Sequence, residues 1–192
     1  MKFTRAVPKS RASPTGWLKS VPSRPIYLLI TLLVGALLLS WVAVLKYFLD
    51  NDSANPWHAF FSIALGALLA PLIHEIVHVF SWPTKKRLRW TLIGFAPVMN
   101  YPFIRKLPTA WMTVRISQNA KIFTWSVISP FVLLGLGVPL LSAQSPGLCG
   151  IFLAGLAGAN MVGSYNDLCV VIELWKTGAT QVRDEPFGFY WC

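Results

Sequence analysis

Four stretches of the chain, at about 26–48, 57–80, 120–141 and 148–174, stay apolar over the roughly 20 residues that a helix needs to cross a bilayer. The first carries a single charge, Lys46, close enough to its end to snorkel. The run from Asp50 through Asn51, Asp52, Ser53, Ala54 and Asn55 to Pro56 breaks the pattern as a turn. In the second stretch Gly66, Ala67 and Ala70 fall on one helical face, a small-residue stripe that lets a neighbouring helix come close. Pro71 lies just beyond that stripe and is expected to bend the helix. From 90 to 111 the apolar residues are interrupted by Gly94, Pro97, Pro102 and Pro108, too often for a spanning helix. This pattern predicts an interfacial or re-entrant segment between helices 2 and 3, with two short strands. Such backbone must be covered by protein or reach water. A loop lying on the headgroups and a substrate-contacting role fit it equally well. The third stretch contains Pro130, and the fourth contains Asp167 and Glu173. The fold class expected is an all-α membrane protein of about four transmembrane helices. A disordered, proline- and serine-rich basic tail (1–25) precedes a membrane-embedded domain (26–192), which ends in a short mixed segment.

Composition supports that class and settles the meaning of the charge. Of 192 residues, 55% are hydrophobic and 12% charged, and the net charge is +10. So basic a chain invites a nucleic-acid partner, but the basic residues lie between the apolar runs, where membrane orientation explains them. Six precede the first span: Lys2, Arg5, Lys9, Arg11, Lys19 and Arg24. Eight lie between the second and third spans or at their edge: Lys85, Lys86, Arg87, Arg89, Arg105, Lys106, Arg115 and Lys121. Two follow the last span, Lys176 and Arg183, which leaves only Lys46 of the seventeen. Both termini are therefore expected to be cytoplasmic, with the bilayer as partner and no nucleic acid. Cys149, Cys169 and Cys192 form no C-x-x-C pair, so neither a disulfide framework nor a thiolate zinc site follows.

The candidate chemistry is His74-Glu75-Ile76-Val77-His78, near the cytoplasmic end of the second span. Residues four apart on a helix share a face, so the two imidazoles can serve one metal ion. Glu75 sits beside them, placed to act as a general base without being a ligand. Two histidines hydrogen-bonded inside a bundle are the plainer reading. Three ionisable groups within five membrane residues are costly, which favours function.

A catalytic zinc takes three protein ligands, and depth in the membrane selects the third. His58 is sixteen residues before His74, about 24 Å away along the helix, and is excluded. Asp50, Asp52 and Cys149 fall at the outer side. Asp167 lies about 28 Å along its span and His74 about 26 Å along its own, both running inward. Asn160, Gly163, Ser164 and Asp167 share a face by their spacing. Glu173 and Cys169 point away from it. The expected set is thus His74, His78 and Asp167 on Zn2+, with Glu75 catalytic.

The motif, followed about ninety residues later by Gly163-Ser164-Tyr165-Asn166-Asp167-Leu168, resembles the putative zincin peptidases, multi-span and mostly bacterial membrane proteins. The resemblance covers about residues 60 to 190. It implies His74, His78 and Asp167 as ligands, Glu75 as base, and a bacterial cytoplasmic membrane as the location. A more distant similarity is to site-2-type intramembrane proteases, whose Asn-Pro-x-x-x-x-Asp-Gly segment is unmatched here because Leu168 follows Asp167.

The function expected is a membrane-embedded zinc metallopeptidase acting on membrane proteins or peptides near the cytoplasmic face. The alternative is a non-catalytic interaction or assembly protein with a structural metal site, which needs ligands but no Glu75. A metal transporter fits less well, because the acidic and histidine residues gather at one depth instead of forming a path.

Overall fold

In the computed structural model, the described residues are 18–20, 23, 25–81, 96–97, 108–109, 117–185 and 188–192. Six α-helices dominate: α1 (Ile26–Asp50), α2 (Pro56–Ser81), α3 (Ala120–Pro130), α4 (Val138–Gln144), α5 (Gly147–Gly163) and α6 (Tyr165–Thr177). A π-helical segment, Phe131–Gly137, joins α3 to α4 in one continuous rod. Among the described residues, three helical rods are long and apolar enough to cross a membrane. There are four if α5 and α6, bent by 43° about Ser164, form one broken span. Their outer faces agree with that environment: Leu37, Trp41, Val42 and Leu49 of α1 and Phe60, Leu68 and Leu72 of α2 are exposed, as lipid-facing side chains must be.

Helix α5 lies at the centre, packed most extensively on α2 and α1. The crossing with α2 is made by glycine. A Cβ on Gly66 would sit 2.8 Å from the Leu156 amide nitrogen, and one on Gly155 would sit 2.9 Å from Ile63 Cα. Both are closer than a side chain tolerates, so small residues set the spacing of these helices. Farther along α2, Ala70 is buried against Leu134, Val138, Leu156 and Ala157. The small stripe on α2 is therefore a packing face. Pro71 is carried inside an uninterrupted α2.

The termini differ from expectation. Leu18–Ser20 forms β1, and Gln181–Glu185 and Gly188–Trp191 form a hairpin of β5 and β6. With Gln118–Asn119 as β4 they build an antiparallel sheet in the order β1-β6-β5-β4, with Leu18 opposite Trp191. Leu18–Ser20, within the 1–25 tail, is thus a strand, the rest of that tail apart from Ser23 and Pro25 lies outside the described residues, and the closing segment is ordered. Val182 and Phe189 are fully buried against Phe123, Val127, Val171 and Leu174 of α3 and α6, so apolar burial anchors the sheet to the bundle. Ala96–Pro97 (β2) pairs with Pro108–Thr109 (β3), two short strands within the segment expected to hold them. The rest of 90–111 and the basic stretch 84–89 lie outside the described residues.

Candidate metal centre

His74 and His78 lie on the α2 face turned into the bundle and are 9% and 8% exposed. Asp167 stands in the first turn of α6, where the helix N-terminus favours a negative charge. Its Oδ2 is 3.0 Å from His74 Nε2 and 3.4 Å from His78 Nε2, and the two Nε2 atoms are 3.1 Å apart. One ligand atom from each residue therefore lies within 4.8 Å of the other two.

The hydrogen bonds behind the rings decide their tautomers. A carbonyl oxygen only accepts, so His78 Nδ1, 2.8 Å from the Ser126 carbonyl, carries the hydrogen. Asn160 Nδ2 donates to the Pro130 carbonyl at 2.9 Å, which turns Asn160 Oδ1 toward His74 Nδ1 at 2.8 Å. His74 Nδ1 therefore carries its hydrogen as well. In the neutral rings both Nε2 atoms then present lone pairs, alongside a carboxylate oxygen that has no hydrogen-bond donor among the described residues. Three buried acceptors this close repel one another unless something positive lies between them. Two neutral imidazole nitrogens and one carboxylate are the donor set that zinc takes, so the residues present fit that ion.

The bend at Ser164 frees Asp167 for this position. Ser164 and Asp167 have the spacing of a capping box, yet α6 lacks a side-chain cap hydrogen bond. The Ser164 amide bonds instead to the Asn160 carbonyl at 2.9 Å, continuing α5. Its hydroxyl is fully buried and unpartnered among the described residues. The Asp167 carboxylate turns to the histidines.

Other candidates fall elsewhere. His58 is exposed on the first turn of α2. Glu173 accepts from Ser20 Oγ at 3.4 Å and pairs with Lys176 at 3.8 Å, tying β1 to α6. Cys169 is buried among Leu32 and Tyr165. Gly163, expected on the site face, is exposed. Glu75 is half-buried, next to His74 and three residues before His78 on α2. Asn160 is the residue whose task spacing alone leaves unassigned, although it shares the Asp167 face. The Ser126 carbonyl has no signal in its own residue type, and only Pro130, four residues later and without an amide hydrogen, could have marked it.

A helical bundle with membrane-length apolar rods, enclosing two imidazoles and a carboxylate turned on one point, defines a membrane-type protein with a metal-site donor set. Residues 67–182, more than half of the chain, match the family described as Putative zincin peptidase, and the chain belongs to that family. The matched stretch holds His74, Glu75, His78, Asn160 and Asp167. No curated protein and no solved structure matches the chain.

Proposed function

We propose that the protein is a membrane-embedded zinc endopeptidase that hydrolyses membrane or juxtamembrane peptides near the cytoplasmic face. The observation that carries this is the convergence of His74 Nε2, His78 Nε2 and Asp167 Oδ2 beside Glu75. Those three would hold the ion, which when bound polarises a carbonyl and makes a coordinated water acidic. Glu75 accepts the proton of the attacking water and returns it to the leaving amine, a single carboxylate serving both half-steps. The buried walls around the histidines keep bulk water away and strengthen each of these charge interactions.

The orientation proposed is that of the positive-inside rule, with both termini cytoplasmic. The sheet supports it. Strand β1 leads into α1, β4 leads into α3, and β5 and β6 follow α6. Four segments that the rule puts on one side are paired in one sheet. In a cysteine-free background, Asn51→Cys should react with an impermeant thiol reagent only from the outer side. Labelling confined to the cytoplasmic side would invert the topology.

The activity is tested with purified protein in bilayer discs and a membrane-inserted peptide. Stripping the metal with a chelator should lower cleavage by at least about 10²-fold, the scale on which one catalytic group acts. Added zinc should restore it. Cleavage that continues at full rate in metal-free protein would eliminate the zinc peptidase reading.

A further inference from the structure

We infer that Pro130 and Asn160 are positioning residues of the metal centre, one proline orienting both histidines through two backbone carbonyls. The inference rests on the metal reading above and assigns residues outside the ligand set.

In an α-helix the amide of residue i bonds to the carbonyl of residue i−4. Pro130 has no amide hydrogen, so the Ser126 carbonyl, four residues earlier, is without that partner. It accepts instead from His78 Nδ1 at 2.8 Å and from Ser129 Oγ at 2.9 Å. The Pro130 carbonyl accepts Asn160 Nδ2, and this bond points Asn160 Oδ1 at His74. After Pro130 the rod widens into the π-helical segment, where the Val138 amide reaches back five residues to Leu133. Single π turns within longer helices recur at functional sites. Gly135 in that segment faces Asn160. A Cβ there would stand 3.3 Å from Met161 Cγ and in ordinary contact, 3.5 Å, with Asn160 Nδ2, so the segment packs closely on the amide. Asn160 is 1% exposed, and Ser126 and Pro130 are fully buried. Hydrogen bonds to the second nitrogen of a ligating histidine are worth about 10- to 100-fold in metal affinity.

The competing role is purely structural: Pro130 shapes a helix, and Asn160 joins α5 to α3 as polar residues do between membrane helices. Two readouts on the full-length protein separate the roles. One is zinc affinity by competition with a chromogenic chelator. The other is the 15N-histidine spectrum of metal-free protein at a pH where imidazole is neutral. In wild type the spectrum should show both rings as Nδ1–H tautomers. Asn160→Leu should weaken zinc binding about 10- to 100-fold and release His74 to a tautomer mixture, leaving His78 as it was. Pro130→Ala restores an amide that competes for the Ser126 carbonyl, and should release His78. Asn160→Asp keeps an acceptor for His74 but loses the donor to the Pro130 carbonyl, and should bind zinc more tightly than Asn160→Leu and more weakly than wild type. If Asn160→Leu does not fold, Asn160→Ser, too short to span both partners, takes its place. Unchanged tautomers and unchanged affinity in these variants would overturn the inference while leaving the zinc site standing. A wild type that binds no zinc would defeat the metal reading instead, and the tautomer spectra would still decide whether Pro130 and Asn160 orient the rings.

Discussion

Glu75→Gln retains zinc and the fold but loses peptide hydrolysis by at least about 10²-fold. Glu75 is offset by about 100° around α2 from His74, and its carboxylate is not among the converging ligand atoms. The substitution keeps the side chain's shape and a capacity to hydrogen-bond, and removes the charge and the proton acceptance. Zinc content of the purified variant, measured beside cleavage of a membrane-inserted peptide, tests both halves of the statement. Full cleavage by Glu75→Gln would remove the general base from the mechanism. A variant with no measurable effect in the cell would favour a structural metal site in an interaction protein.

His74→Ala and Asp167→Ala each lose most of about one equivalent of zinc, whereas His58→Ala keeps it. A hydrogen-bond partner of a ligand is worth about 10- to 100-fold in affinity, and removal of a ligand costs more. Alanine at 74 or 167 leaves two ligand atoms of the three that a catalytic zinc requires. His58 lies sixteen residues, about 24 Å, up the same helix and is exposed. Metal analysis after dialysis against a weak chelator ranks the variants. Equal loss from His58→Ala would mean that zinc binds elsewhere.

What could be read from the amino-acid order is what membrane physics makes local. A spanning helix must be one unbroken apolar run, so the starts of α1, α2 and α3 and the region of the broken α5–α6 span are visible in the pattern. His74 and His78 share a face because the helix period alone puts them there. Asp167 could be matched to them by counting, because two membrane rods of 1.5 Å per residue, entered from the same side, become rulers of depth. Tertiary structure decided the rest, wherever the deciding contact is distant in the chain or belongs to the backbone. Leu18 and Trp191 pair from opposite ends of the chain, and strands of two to five residues have too little pattern to announce their partners. The bend at Ser164 and the π turns after Pro130 reflect backbone hydrogen bonds chosen by packing. The carbonyl that holds His78 is that of Ser126. Pro130 marks that carbonyl as one left without its helical amide, but every residue owns a carbonyl, and only the folded chain decides that His78 reaches this one.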